Sequence, residues 1–139
     1  MSTELREAPR QPTEVAAFEL AKAEAAVQAN RTPETLFALG EAYERAELMR
    51  AALTCYRRVD YAIGDAERSS PSPSGLLGKS YLKLIKINLA LGQLNERKNA
   101  PDEALEFYND ACRSFKEVIE KGIIKDPELQ RAILETLKD

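Results

Sequence analysis

Residues 37–56 read FALGEAYERAELMRAALTCY, and residues 89–108, which begin 52 positions later, read LALGQLNERKNAPDEALEFY. Eight of the twenty aligned positions are identical, whereas about one or two would match by chance at ordinary residue frequencies. Similarity of a chain to itself at a fixed offset is typical of proteins that are built from repeated supersecondary units. These two segments therefore predict the fold.

A glycine, an alanine and a tyrosine recur at matching places in the two segments. Gly40 and Gly92 lie within helical patterns, where glycine costs about 1 kcal/mol relative to alanine. This cost is tolerated where a neighbouring helix comes too close for a Cβ atom. Ala52 and Tyr56 are four positions apart, so they share one face of the next helix. We predict that each glycine forms a notch that receives the alanine and the tyrosine. The corresponding pair in the second segment is Ala104 and Tyr108.

Prolines and capping residues divide the rest of the chain into helices. No segment shows the alternation of apolar and polar residues that marks a strand. The predicted helices begin at Thr13, at Thr32-Pro33, at Leu48 or Met49, at Leu76, at Pro101 and at Asp126-Pro127. They are predicted to end near Asn30 for the first, Glu67 for the third, Arg97 for the fourth and Lys121 for the fifth. The sequence predicts an all-α protein of about six antiparallel helices.

We predict a disordered arm over residues 1–12 and one helical domain over 13–139. The domain comprises a first repeat at about 33–67, a loop at 68–75, a second repeat at about 76–121 and a capping helix at about 126–138.

The composition excludes several classes of function. The 139 residues include 20 alanines and 17 leucines but no histidine and no tryptophan, so the commonest general base and transition-metal ligand is missing. The net charge is −3, and the 20 basic residues are interleaved with 23 acidic ones along most of the chain, unlike the clustered basic face of a nucleic-acid binder. No apolar run approaches the roughly 20 residues of a membrane span. We expect no enzyme activity, cofactor or metal, no binding of nucleic acid, no membrane insertion and a cytoplasmic location.

The two cysteines, Cys55 and Cys112, lie in helical stretches next to aromatic residues. We interpret both as small buried apolar side chains, because an isolated pair forms no disulfide framework.

The spacing of the shared positions within the first segment resembles the tetratricopeptide repeat (TPR). The first copy carries the pattern at Leu36, Leu39, Gly40, Tyr43, Ala52 and Tyr56, and the second at Leu91, Gly92, Ala104, Tyr108 and Ala111. The second copy departs from it at Asn88 and Asn95, where a large apolar residue and a tyrosine are usual. The resemblance implies antiparallel helix hairpins that stack as a short right-handed solenoid.

The resemblance also implies a binding groove, since the first helix of each TPR lines a concave surface. Carried over by position, the groove residues are Glu34, Phe37, Glu41, Glu44, Arg45, Lys86, Leu89, Gln93, Glu96 and Arg97. The carboxylate clamp of chaperone-binding TPR domains is absent, because Phe37 and Glu41 stand at its lysine and asparagine positions. The acidic flanks favour an amphipathic partner segment with some basic residues.

Other interpretations of these residues stay open. They are equally explained as solvated helix faces, and Phe37 alternatively packs in the core against Phe18 or Leu20 of the first helix.

We therefore expect a protein-interaction module, either an adaptor or scaffold or an assembly factor. One alternative is a secretion-type chaperone for a specific client. Another is a structural subunit that self-associates through its long fourth and fifth helices.

Overall fold

The computed structural model of the chain describes residues 13–63 and 75–122, together with Pro127, Arg131, Leu134 and Glu135. In this part of the chain there are five helices and no strand: α1 (Glu14–Ala29), α2 (Pro33–Arg45), α3 (Met49–Ala62), α4 (Leu76–Arg97) and α5 (Pro101–Lys121). The all-α prediction is confirmed for the described residues, which contain five of the six predicted helices; the sixth was predicted in a segment that lies mostly outside them.

Three predicted segments fall wholly or mostly outside the described residues: the arm over 1–12, the loop over 68–75 and the capping helix over 126–138. Within that last segment, only the four isolated residues named above are described, all of them helical and exposed.

The first two helices begin where their capping residues predict. The Thr13 hydroxyl accepts a hydrogen bond from the Ala16 backbone N–H at 3.1 Å, which satisfies a donor that the first turn of a helix leaves unpaired. Thr32 and Thr35 form a reciprocal capping box, with Pro33 at the first helical position, where the missing N–H of proline has no cost. Local hydrogen bonding therefore determines where α1 and α2 begin.

The turns that join α2 to α3 and α4 to α5 have the same geometry, 52 residues apart. Glu47 and Asn99 adopt left-handed backbone conformations, with φ of 63° and 59°. In the first turn the Leu48 N–H donates to the Tyr43 carbonyl at 2.9 Å, and in the second the Ala100 N–H donates to the Asn95 carbonyl at 2.8 Å. The sequence similarity between the two segments thus extends to their backbone conformation.

The chain divides into two compact units, Met1–Ala62 and Ile63–Asp139. In the first unit α1 packs against α2, and α2 packs against α3. In the second unit α4 packs against α5. Within each unit, the helices that pack against each other are antiparallel. The prediction that residues 13–139 form one domain stays a prediction.

The core of the first unit comes almost entirely from α2 and α3, because Ala16 is the only residue of α1 that is buried. Phe18 is 71% exposed. In the second unit α4 buries half of its 22 residues, whereas α5 buries only Ala104, Phe107, Ala111 and Val118. Two large apolar side chains of α5, Leu105 and Ile119, are 58% and 62% exposed.

The predicted end of α5 is correct, whereas the predicted end of α3 is too late in the chain. Gly122 ends α5 in a left-handed conformation, with φ of 58°, as glycine commonly does just past a helix. α3 ends at Ala62, before the predicted end near Glu67. Among the described helices, none combines the length and the hydropathy that crossing a bilayer requires.

Candidate partner-binding surface

The predicted packing of tyrosine on glycine is confirmed in both hairpins. A Cβ atom on Gly40 would lie 2.7 Å from Cε1 of Tyr56, and one on Gly92 would lie 2.5 Å from Cε1 of Tyr108. These separations are well below the 3.5–4.0 Å of ordinary carbon–carbon contacts. Each tyrosine ring therefore lies directly on the backbone of the preceding helix, which only glycine allows.

The hydroxyl of each of these tyrosines is bonded to a glutamate of the preceding helix. The Tyr56 hydroxyl donates to Oε1 of Glu44, and the Tyr108 hydroxyl is bonded to Glu96. Burial, and then the bond to Glu44, raises the pKa of Tyr56 well above its usual value of 10. Burial and the bond to Glu96 raise the pKa of Tyr108 to about 12. Both glutamates, expected to line a groove, thus have a structural role in the hairpin.

Phe37, one of the predicted groove residues, is buried instead, with 9% of its surface exposed. Its ring centroid lies 5.3 Å from that of Tyr56, with the planes tilted by 53°, a separation and tilt favourable for aromatic pairs. The core interpretation of Phe37 is therefore correct, although its aromatic neighbour is Tyr56 of α3 and the suggested Phe18 is exposed. A buried ring cannot serve as a surface anchor.

The remaining α2 residues of the predicted groove are charged. Arg45 donates from Nε to Oε2 of Glu19 on α1 at 2.8 Å, and both side chains are about half exposed. Glu34 is exposed in the first turn of α2, where an acidic residue is favoured by the helix dipole. Glu41 is half-buried. Glu34 and Glu41 therefore present negative charge on α2, and the charge of Glu41 also helps to raise the pKa of Tyr56.

On α4 the predicted residues do form an open surface. Lys86, Gln93 and Arg97 are exposed, and Leu89 is half-buried. The structure adds three neighbours that carrying over the TPR positions missed: Lys79 is exposed, and Leu82 and Lys83 are half-buried. We name the set the α4 basic stripe, comprising Lys79, Leu82, Lys83, Lys86, Leu89 and Gln93.

The order of residues in the α4 basic stripe explains why they share one face. Lys79, Leu82, Lys86, Leu89 and Gln93 follow one another at alternating steps of three and four, which keeps side chains on the same side of a helix. Residues 76–95 include three lysines and no acidic residue. The chain as a whole has a net charge of −3, so a stretch without acidic residues is unusual in it. This stretch could have indicated a basic surface from the sequence alone.

The groove residues carried over from the TPR come from both compact units, the first five from α2 and the last five from α4. Each set is thus a surface of its own unit.

Polar side chains occupy unexpected places in the interior of α4. Asn88 and Ser80 are both at most 1% exposed, and neither Asn88 Oδ1 nor Ser80 Oγ has a hydrogen-bond partner. Asn95 is also buried, but its Nδ2 donates to the Leu91 carbonyl at 2.8 Å. The two positions at which the second copy departs from the TPR pattern are therefore both interior.

The two cysteines differ from each other. Cys55 is 3% exposed, and burial raises the pKa of its thiol, as expected for a small apolar residue of the core. Cys112 is exposed on α5, so the prediction that it is buried is wrong. Among the described residues no three histidine, cysteine, aspartate or glutamate side chains cluster in a way that could hold a metal ion.

Comparisons with models of protein families, with curated proteins and with solved structures find no match to this chain.

Proposed function

We propose that this chain is a TPR-like protein-interaction module, whose two hairpins are divergent repeats of one solenoid. The support is the equivalence of the hairpins: the glycine–tyrosine packing, the glutamate bonded to each tyrosine hydroxyl and the left-handed turn residue all recur 52 positions apart. In such modules the first helix of a hairpin presents the binding surface. In the second hairpin, that helix is α4.

The observation that carries the proposed function is the exposed α4 basic stripe. Leu82 and Leu89 form a partly open apolar line seven residues apart, and lysines border it. An amphipathic helix fits such a surface, because apolar residues spaced by seven on the partner meet the leucines. Acidic residues on that partner complement Lys79 and Lys86 and raise the association rate.

This surface revises the partner chemistry that the acidic flanks of α2 suggested. Basic residues on a partner suit Glu34 and Glu41, whereas the exposed lysines of α4 suit an acidic segment. The proposed partner of α4 is an acidic amphipathic helix.

The test uses two labelled helical peptides that share the same leucines at every seventh position. One carries glutamates at its other exposed positions, and the second carries lysines there. We expect fluorescence anisotropy to show that the acidic peptide binds, that the basic peptide does not, and that added salt weakens binding, because exposed charges are screened.

The site is located with a pair of matched variants. Lys79→Glu with Lys86→Glu reverses two exposed lysines of the stripe, and Lys22→Glu with Lys116→Glu reverses two exposed lysines on α1 and α5. Both variants change the net charge equally. Loss of acidic-peptide binding in the first variant alone supports the proposal, and equal losses in both would show that only net charge matters. Equal binding of the two peptides would refute it.

A further inference from the structure

One side of α5 carries a line of apolar side chains that are exposed or half-buried, among them Tyr108, whose ring also packs on Gly92 of α4. Leu105 and Ile119 are 58% and 62% exposed, Cys112 is exposed, and Tyr108 and Phe115 are half-buried. These five residues follow one another at steps of three, four, three and four, the spacing of the contact positions in a coiled coil. We call them the α5 seam.

The α5 seam has the same chemical order when it is read from either end. An aliphatic residue, an aromatic residue, Cys112, an aromatic residue and an aliphatic residue follow in turn. A two-fold symmetric interface requires a surface that is complementary to itself. When two copies of α5 run antiparallel with their Cys112 residues opposite each other, Leu105 lies opposite Ile119 of the partner subunit and aromatic rings lie opposite aromatic rings.

The charges of α5 favour the same arrangement. The half of α5 before Cys112 carries four acidic residues and no basic one. The half after it carries three basic residues and two acidic ones, a net charge of +1. Antiparallel pairing places each acidic half against the partner's slightly basic half, whereas parallel pairing places acidic halves together, which is unfavourable. Both the apolar order and the charges therefore select a second copy in the antiparallel orientation.

We propose that the α5 seam is the interface of an antiparallel homodimer, with Cys112 on or near its two-fold axis. The proposal is independent of the partner surface on α4. Five side chains of one helix cover less than the about 800 Å² per partner of a standard interface, so the dimer forms only at high protein concentration.

Sedimentation velocity over a series of concentrations tests the association. We expect the wild-type chain to shift from monomer toward dimer as its concentration rises to about 0.5 mM, near the weak end of measurable affinities. Leu105→Glu with Ile119→Glu removes the two exposed aliphatic residues at the ends of the seam and abolishes the shift. The control, Val15→Glu with Phe18→Glu, makes the same change at two exposed apolar residues of α1 and leaves the dimer intact.

Disulfide pairing tests the orientation. In a Cys112→Ser background, Leu105→Cys and Ile119→Cys are made as separate variants and oxidised with diamide, which takes one hydrogen atom from each of two thiols. In an antiparallel dimer two copies of either variant hold their introduced cysteines about 21 Å apart along the helix, too far for a disulfide. A mixture of the two variants brings the two different introduced cysteines together and gives a cross-linked dimer.

The outcomes separate the alternatives. A wild-type chain that stays monomeric throughout the series overturns the proposal. A dimer that survives the seam variant, or is lost in the α1 variant, places the interface elsewhere. Cross-linking of Leu105→Cys with itself overturns the antiparallel orientation. Because the substituted residues are exposed, the circular dichroism spectra of the variants are expected to match that of the wild type. The cysteine variants test the same interface by cross-linking, without adding charge to it.

Discussion

Replacing Gly40 and Gly92 by alanine, one at a time, tests what sets the cost of an added Cβ atom. The cost depends either on the distance from the Cβ to the tyrosine ring or on whether that ring is free to move away. At Gly40 the new Cβ would be 2.7 Å from Cε1 of Tyr56, and the atoms must move apart by about 1 Å to reach ordinary contact. The Tyr56 ring is fully buried and packed against Phe37, so the helices themselves must separate. Overpacking of this kind costs about 1–3 kcal/mol.

At Gly92 the clash is closer but easier to relieve. The added Cβ would lie 2.5 Å from Cε1 of Tyr108, yet that ring is only half-buried and can turn toward solvent. Alanine also improves helix propensity by up to about 1 kcal/mol at either position. We therefore expect Gly40→Ala to lower the free energy of unfolding by about 1–2 kcal/mol, and Gly92→Ala to leave it within about 1 kcal/mol of the wild type.

Thermal unfolding followed by circular dichroism measures both effects. The loss at Gly40 corresponds to a fall in Tm of roughly 3–10 °C for a chain of this size, and hydrogen exchange should accelerate in α2 and α3 before α4 and α5. A Gly40→Ala variant as stable as the wild type would refute the packing argument. A Gly92→Ala variant that loses more stability than Gly40→Ala would show that distance, not confinement, decides the cost.

Three further predictions concern other buried or bonded groups. Asn88→Leu should raise the free energy of unfolding by about 1–3 kcal/mol, since it removes a buried oxygen that has no hydrogen-bond partner; a lower Tm would show that the amide is satisfied in solution. A thiol reagent should modify Cys112 at once and Cys55 only after denaturation, because only Cys112 is exposed; two fast thiols in the native chain would contradict the burial of Cys55. Tyr108 has its pKa raised from 10.0 to about 12, so its hydroxyl stabilises the fold below pH 10 and loses that effect as the pH rises to 12. Tyr108→Phe should remove the tyrosinate absorbance step near pH 12, and persistence of that step would assign it to another tyrosine.

The helix boundaries could be predicted from the sequence because they depend on neighbouring residues. Thr13 and Thr32 bond to the first turns of their own helices, and Gly122 adopts a conformation that few other residues tolerate. The glycine–tyrosine packing was also predictable, because a glycine and a tyrosine occur with the same separation in both repeated segments.

What the sequence could not determine was which apolar side chains the helices cover. Phe37 and Phe18 have similar local surroundings in the sequence, yet one is buried and the other is 71% exposed. The duplicated glutamates looked like groove residues until the structure placed each on a tyrosine hydroxyl. Lys79, Leu82 and Lys83 of the proposed surface on α4 were not predicted, because the TPR pattern fixes particular positions and the acid-free run of α4 extends beyond them.

The glycine–tyrosine contacts also have a kinetic consequence. Each joins residues only 16 positions apart within one hairpin, so little chain entropy is lost before the contact forms. Proteins dominated by such local contacts fold in microseconds to milliseconds. Each hairpin of this chain can therefore act as an early folding nucleus, and α2–α3 can assemble during synthesis before α5 has been translated.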